Sequence, residues 1–511
     1  MKKNYLLGID IGTTSTRTII INENGKPVAS STSDYKLITP KPGWAEQIPD
    51  DWWIASIKTI KDVIKKSNVS PGDIVCIGLS GQMHGSVFLD NTGNVIRPAI
   101  LWCDQRTYKQ CETIYKIFGY DGFIKLSYNR ALPGFTAPKV LWLKENEPEN
   151  YKKVSKILLP KDYIRYMLSN TYATEVSDAS GTILMDIPSR NWSNEILNGL
   201  HIKRPLLPEV FESDIISSKV SKEASSLTGL VEDTPIVGGG SDNAAGAVGS
   251  GIIRSSLISD SIGTSGVVFA HIDKPLYDPQ GRLHSFCHAI PGKWHLTGVT
   301  LSAAGSLKWY FDEFGPTKEI INNFPDIEGY DLLDKQAERV SVGSDGLIFL
   351  PYLSGERTPY ADPYARGVFF GISYLHGPDH FIRSIMEGVA FSQLDCLSLM
   401  RELSINSDKI ILSGGGSRSS IWRQIMADIL NSKVVTLNVE EGPAFGAAII
   451  AGAGCGIYPS IKESVDKIIN EDKENYPISE NVKKYNKIYQ IYKSLYISLK
   501  DNFKELSKFL L

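Results

Sequence analysis

At 511 residues the chain is longer than one hydrophobic core ordinarily organises, and a norm of about 100–200 residues per domain predicts two large units or three smaller ones. Hydrophobic residues at 42% and charged residues at 22% argue against a disordered chain and against a multi-span membrane protein. The 54 basic and 57 acidic side chains leave a net charge of -3, which supplies no global field for a nucleic-acid backbone or an anionic membrane, so only a local basic patch would hold either.

The start, MKKNYLLGID, meets Asp10 after a few apolar residues, far short of a secretory core segment. YLLGIDIG predicts a strand, TTST a turn and RTIIIN a second strand, and Asn24-Gly25 turns the chain into a third strand over VASSTSDYKL. In DDWWIASIKTIKDVIKK, residues Trp53, Ile57, Ile60, Val63 and Ile64 recur at helical spacing, with Asp50 available as N-cap. DIVCIGLSG follows as a short buried strand ending at glycine. This order of strand, helix and strand predicts an α/β layer with ligand groups at the carboxyl ends of the strands.

LISDSIGTSGVVFAHI, from Leu257 to Ile272, repeats the strand, glycine-threonine turn and strand of the N-terminus, which fits a duplicated architecture. KIILSGGGSRSSIWRQIMADIL reads as a strand, a glycine loop and a helix, with Ile421, Ile425, Ile429 and Leu430 on one face. The longest uncharged run, Gly442 to Ser460, is built of Gly, Ala and Pro and is a poor match to the ~20 strongly apolar residues of a membrane span. After a polar connector, Glu463 to Ser479, the residues Val482, Tyr485, Ile488, Tyr492, Leu495, Leu499, Phe503 and Leu506 predict an amphipathic terminal helix docked to the body. Cys76, Cys103, Cys111, Cys287, Cys396 and Cys455 form no C-x-x-C pair and read as reduced thiols of a cytoplasmic protein.

A strand ending in Asp-x-Gly-Thr puts a carboxylate beside backbone N–H and hydroxyl groups, which suits a phosphate chain with its metal. Asp10, Gly12, Thr13 and Thr14 are the candidates; the alternative is a hairpin whose glycine and threonines serve only the turn. No Walker A loop is present, because neither Gly25-Lys26 nor Gly292-Lys293 has the required surroundings. Read alone, Asp242 in GGGSDNAAG is equally an N-cap for the helix that follows, and Gly414, Gly415 and Gly416 an ordinary strand-to-helix turn. His284, Cys287 and His288 bring metal-ligand types together, but a strand would send His284 and Cys287 to opposite faces and no fourth ligand is evident. Arg357 and Pro359 in SGERTPY read as a loop with no chemical role.

Over nearly its whole length the chain resembles the FGGY carbohydrate kinases of the actin and hexokinase superfamily. The matches include GIDIGTTST, GQMHG, PAILWCDQRT, LLPKDY, SDASGT, GGGSDNAAGAVGSG, SIGTSG, FLPYLSGERTPY and LSGGGSRSSIWRQIMADI, and the stretches Gly134 to Asn146 and Gly367 to Glu387 fit the family's two signature patterns. The resemblance implies two α/β domains of the actin/hexokinase-like (ribonuclease H-like) type flanking a central nucleotide and sugar cleft. An N-terminal domain would span 4–247, a C-terminal domain 255–470, and the terminal helix 480–511.

The resemblance further implies transfer of the γ-phosphoryl group of ATP, accompanied by Mg²⁺, to a sugar hydroxyl. Met83 and His84 match the sugar-binding pair of members that act on D-xylulose, which implies its 5-hydroxyl as acceptor; another ketose or polyol, such as ribulose or glycerol, is the alternative, and a non-catalytic nucleotide-dependent binding protein a more distant one. Asp242 falls on the catalytic aspartate, a general base that at a reference pKa of ~3.9 is ionised at neutral pH without tuning. Trp102 is implied as an apolar wall, Asp104 as an acceptor and Asn243 as a further sugar contact. Gly263, Thr264 and Ser265 would form a second phosphate turn, Arg17 would add positive charge, and Gly414, Gly415 and Gly416 would make the adenosine loop. Mg²⁺ would sit on the phosphates, water-bridged to Asp10 or Asp242. One departure stands beside the base: Ser241 occupies a position where many relatives have glycine, and it gives up glycine's freedom at positive φ. The implied partners are a small sugar and ATP, with no nucleic acid and no membrane, and a homodimer by analogy alone.

Overall fold

Alternation along the first strand decides what packs on each side of it. In the computed structural model, which describes residues 4–255, 257–315, 329–439 and 442–509, the chain divides into two units. The first comprises Met1–Ile253, Ile272–His295 and Glu441–Ile469; the second comprises Arg254–His271, Leu296–Glu440 and Asn470–Leu511.

In the first unit, β1 (Tyr5–Ile11) pairs antiparallel with β2 (Ser15–Asn22), which pairs with β3 (Pro27–Asp34). After α1 (Pro49–Ser67), the chain returns as β4 (Ile74–Gly81), parallel to β1. The sheet order runs Ile216–Lys219, Pro235–Val237, β4, β1, β2, β3. Ile9 and Thr18 share one face, and there Thr18 Oγ1 meets Thr59 Oγ1 of α1 at 2.7 Å. The first turn of α1 corrects one expectation: Ile48 is the cap residue and Pro49 begins the helix, while Asp50 lies inside it and accepts from Tyr163 Oη at 2.6 Å.

The opposite face of β1 and β4 is met by the helix Gly442–Gly454. A Cβ on Gly8 would stand 1.9 Å from Ala444 O, and one on Gly78 would stand 1.9 Å from Ala447 O, so only glycine admits this helix to backbone contact. The same helix packs on α2 (Asp242–Gly249), where a Cβ on Gly446 would come 1.8 Å from Ala245 O. One uncharged helix therefore seats both the strand that carries Asp10 and the helix that carries Asp242. Among the described residues, no helix is long and apolar enough to cross a membrane.

The second unit repeats the opening plan. β5 (Leu257–Ile262) and β6 (Gly266–Ile272) form an antiparallel hairpin, and β5 lies parallel to β8 (Lys409–Ser413). With β7 (Trp294–Thr300), β9 (Lys433–Leu437) and β10 (Glu471–Asn475), the order is β7, β6, β5, β8, β9, β10. Its α-helices among the described residues are α3 (Ala304–Phe314), α4 (Gly329–Glu338), α5 (Pro378–Glu402), α6 (Ser420–Leu430) and α7 (Ser479–Ser507). α7 buries Val482, Tyr485, Tyr489, Tyr492, Leu495 and Phe503, whereas Leu506 is exposed and residues 510 and 511 lie outside the described residues.

Candidate active site

Gly12, Thr13 and Thr14 join β1 to β2, and the Gly12 N–H donates to Ser15 O at 3.0 Å inside the turn. Tyr35 Oη donates to Gly12 O at 2.5 Å, Tyr35 N–H to Thr14 O at 3.1 Å, and Gln47 Nε2 to Thr13 O at 2.7 Å. The turn's carbonyls, which would repel an anion, are thereby engaged by neighbours. Gln82 Nε2 braces Gln47 Oε1 at 3.0 Å, and Trp102 Nε1 donates to Thr13 Oγ1 at 2.9 Å, so the indole expected as a sugar wall bonds to the turn expected to hold phosphate. Tyr35, Gln47 and Gln82 carry no sequence signal of this role, since each acts from a separate element.

Asp10 stands opposite Arg17 of β2 and beside Ser80 of β4. Its Oδ1 is buried and, among the described residues, completes no hydrogen bond. Burial pushes its carboxyl up to about 6, with the Ser80 hydroxyl and the Arg17 guanidinium pulling the other way.

The segment leading to Asp242 needs glycine at two adjacent positions: a Cβ on Gly238 would stand 2.4 Å from Glu212 O, and the demand at Gly239 is greater. Gly239 has a φ of 74°, and a Cβ there would stand 2.0 Å from Leu79 O. Ser241 has a φ of -55°, open to any residue, so the departure from glycine costs the backbone nothing. Its hydroxyl accepts from Ala244 N–H at 3.3 Å, which makes Ser241 the N-cap of α2. The alternative of Asp242 as the cap is thus corrected: its carboxylate accepts from Asn243 N–H at 2.7 Å and is not spent on capping. Burial and then the charge of Asp10 push it up to about 7, with Asn243 N–H opposing, so the expectation of an untuned aspartate is also corrected.

His84 has a φ of 66°, a strained conformation for a bulky residue. Thr136 Oγ1 and Lys139 Nζ hold its carbonyl at 3.1 and 2.9 Å, and its ring Nδ1 pairs with Gly181 O at 2.7 Å. Because a carbonyl oxygen only accepts, that pairing makes Nδ1 the donor. Met83 is buried, and Asn243 Nδ2 donates to its Sδ at 3.4 Å, so the pair at 83–84 and the residue after Asp242 are in contact. Lys139 is fully buried, and burial pushes its ammonium down to about 7 against the attraction of Asp104. A lysine within the apolar helix Thr136–Asn146 was the available signal for it.

Asp104 does not match the acceptor role expected of it. It is fully buried, its Oδ2 accepts from Ala45 N–H at 2.6 Å and Arg106 Nη2 at 2.7 Å, and its Oδ1 accepts from Arg106 N–H at 2.9 Å. Arg106 in turn meets Glu46 Oε1 at 2.6 Å and stacks 3.6 Å over Trp44, so Asp104 holds a loop.

A buried charge network, missed in the sequence, lies under the Asp242 loop. Lys161 Nζ donates to Asp162 Oδ1 at 2.5 Å and lies 3.7 Å from Glu175 Oε1 and 3.6 Å from Asp178 Oδ2. Glu175 caps the short helix Val176–Ser180 through the N–H groups of Ser177 and Asp178, and Ser177 Oγ accepts from Ser241 N–H at 2.9 Å. Burial holds the Asp178 carboxyl well above the ordinary range despite Lys161, with Asp162, Glu175 and Asp242 adding to the rise.

In the second unit, Gly263, Thr264, Gly415 and Gly416 line one cavity of about 510 Å³, within the range of small-molecule sites. The expected phosphate turn and adenosine loop therefore meet at one place. Ala303 N–H and Ala304 N–H hold Thr264 O and Gly263 O at 2.8 and 2.7 Å, and Ser265 is exposed at the turn. Gly414, outside the lining, has a φ of 79° and packs on Ile262 and Gly263 backbone. Lys308, Tyr330, Asp331, Asp334, Arg418 and Ser419 add polar lining; Arg418 and Ser419 stand in the LSGGGSRSSIWRQIMADI motif, and no motif had marked the other four.

His288 is satisfied by Ile252 O at 3.0 Å and Ile290 N–H at 3.1 Å, and no metal-holding group of three or more His, Cys, Asp or Glu exists among the described residues.

Residues 5–249 match the FGGY family of carbohydrate kinases, N-terminal domain, and residues 259–455 match its C-terminal domain. A xylulose kinase of Bacillus subtilis (strain 168) is 40% identical over 497 residues, 97% of each chain. A gluconokinase of the same organism is 32% identical over 508 residues, 99% of this chain and 98% of that one. The crystal structure of ligand-bound xylulose kinase from Lactobacillus acidophilus superposes with a TM-score of 0.91 at 27% identity, covering 98% of this chain and 100% of that one.

Proposed function

The chain belongs to the FGGY family of carbohydrate kinases, and we propose that it transfers the γ-phosphoryl group of ATP to the 5-hydroxyl of D-xylulose with Asp242 as the general base. The observation that carries the chemistry is the state of the Asp242 carboxylate. Ser241 takes the capping duty, Asn243 N–H orients one oxygen, and a carboxyl near 7 is matched to accepting a proton at neutral pH. Asp242 takes the hydrogen of the attacking hydroxyl, the oxygen bonds to the γ-phosphorus, and ADP leaves. Most of the rate comes from holding these groups in line.

The substrate assignment leans on the 40% identity to the Bacillus subtilis xylulose kinase and on the Met83–His84 pair. The His84 imidazole would meet a sugar hydroxyl, Asn243 bridges to Met83, and Trp102 gives an apolar surface. Asp104 and Lys139 enter as residues that hold these loops. In the second unit, Gly263, Thr264 and Ser265 would take the phosphates, and the cavity lined by Gly415 and Gly416 the nucleoside, with Gly414 setting the loop's course. The buried Asp10 Oδ1 without a bond and the neighbouring Asp242 fit a hydrated Mg²⁺ carried by ATP. Bound there, the ion would neutralise phosphate charge.

An ADP-release assay across D-xylulose, D-ribulose, D-gluconate and glycerol tests the reading. D-Xylulose should give the highest kcat/KM, and Asp242→Asn should lose about 10²–10⁴ in kcat while its ADP affinity persists. Wild-type turnover in that variant would remove Asp242 from the mechanism, and gluconate ranking first would replace the sugar.

A further inference from the structure

The cavity of the second unit has a charge pattern that a phosphate turn does not explain. Beside the cationic side chains Lys308 and Arg418, its lining includes two carboxylates, Asp331 and Asp334, three residues apart on α4 and so on one face of it. A polyphosphate would be repelled by both, so within a nucleotide they can face only the uncharged nucleoside, whose polar edges are N–H and O–H donors.

Of the two, Asp334 is held in place. Ser419 Oγ donates to its Oδ1 at 2.8 Å, and the same hydroxyl accepts from Trp422 N–H at 3.1 Å as the N-cap of α6. The serine's single proton is thereby committed to the carboxylate, and the carboxylate's orientation is tied to a helix terminus. Among the described residues Asp334 Oδ2 accepts no hydrogen bond, so it keeps its acceptor capacity at the cavity wall. Burial raises the Asp334 carboxyl, as desolvation beside Asp331 and Glu338 requires, which makes a donor from a ligand more valuable to it.

Resting on the reading of this cavity as the ATP site, we propose that Asp334 is a nucleotide-specificity residue that accepts a hydrogen bond from a donor on the nucleoside, either the adenine amino group or a ribose hydroxyl. Phosphate contacts at Gly263 to Ser265 are common to every nucleotide. Discrimination must come from the nucleoside end, and a site built around an acceptor rejects a ligand that lacks the donor.

Titration calorimetry without sugar, using ADP, 2′-deoxyADP, 3′-deoxyADP and GDP, reads this directly. Wild type should bind ADP more tightly than at least one of the other three by roughly tenfold or more. Asp334→Asn keeps an acceptor for Ser419 but replaces the outward oxygen with an amide group. It should weaken ADP by a similar factor and leave unchanged the analogue that lacks the donor: a deoxy nucleotide if the ribose is read, GDP if the amino group is read. Asp334→Glu, which keeps the charge and displaces it, should fall between the two and serves if the asparagine variant does not fold. An ADP affinity within twofold of wild type in Asp334→Asn, or an equal loss for all four nucleotides, overturns the proposal, the second result being that of a merely structural residue. The absence of sugar separates this test from the substrate assignment: a chain that shows the selectivity but does not turn over D-xylulose loses only the sugar, whereas a wild type that binds none of the four loses this inference with its ATP site.

Discussion

Ser241 shows how one hydroxyl decides the role of its neighbour. By accepting from Ala244 N–H it relieves Asp242 of a task that an aspartate at a helix start would otherwise perform. Ser241→Ala should therefore lower stability by about 0.5–2 kcal/mol in urea unfolding, and Ser241→Gly by at least as much, because Ser241 and Ala244 are fully buried and water does not replace the lost bond to Ala244 N–H. Both should keep most of kcat, because Asn243 N–H orients the carboxylate from the other side. A large loss of kcat in Ser241→Gly with unchanged stability would mean that the hydroxyl acts on the chemistry itself. The residue types at 10, 12–14 and 241–243 were legible in the sequence, but the division of labour among them was not. A cap is defined by which of two adjacent residues leaves helical φ and ψ, and local pattern fits Ser241 and Asp242 equally well. Asp104 was misread for a related reason: its partners Ala45 N–H and Arg106 satisfy it in three dimensions, and only one of them is close in sequence.

At the scale of elements, α7 combines what periodicity can and cannot tell. The three-and-four spacing located the helix and most of its buried face, yet Tyr489, absent from that pattern, is buried, and Leu506, part of it, is exposed. Tyrosine is the reason, since its ring follows apolar periodicity while its hydroxyl needs a partner. Tyr485 Oη donates to Glu387 Oε1 at 2.7 Å and Tyr489 Oη to Asp395 Oδ1 at 2.5 Å, both on α5. Burial pushes the Asp395 carboxyl from 3.8 up to about 7, against the Tyr489 hydroxyl and Lys493. The folded state therefore keeps a proton that the unfolded state has lost between those values, so this group's contribution is full below the lower value and is lost as pH rises to about 7. Asp395→Asn, which cannot ionise, should gain on wild type by roughly 2 kcal/mol between pH 5 and pH 8 in urea unfolding. Parallel stability curves for the two proteins would show that the carboxylate is not desolvated in solution.

For the whole molecule, the two units share a device: a hairpin with a glycine-threonine turn and a parallel strand beside it, β1, β2 and β4 in one, β5, β6 and β8 in the other. That repetition was visible because GTTST and GTSG stand in matching positions. The return of Glu441–Ile469 to the first unit was not visible, because its helix is apolar all round and seats on Gly8 and Gly78 by backbone contact, which leaves no amphipathic trace. The proposed sugar contacts lie in the first unit, at 83–84, 102 and 242–243, and the proposed nucleotide contacts in the second, at 263–265 and around the cavity. Each ligand alone should then stabilise the backbone it touches, by about 2.7 kcal/mol at a hundredfold excess over its Kd. Hydrogen exchange followed by mass spectrometry should show ADP slowing the peptides over 263–265, 304–308 and 415–419, and D-xylulose slowing those over 83–84 and 242–243. D-Xylulose protecting only the peptides around 415–419 would overturn the assignment of the sugar to the first unit, because a ligand cannot stabilise most strongly a segment it does not bind while leaving its own contacts in free exchange.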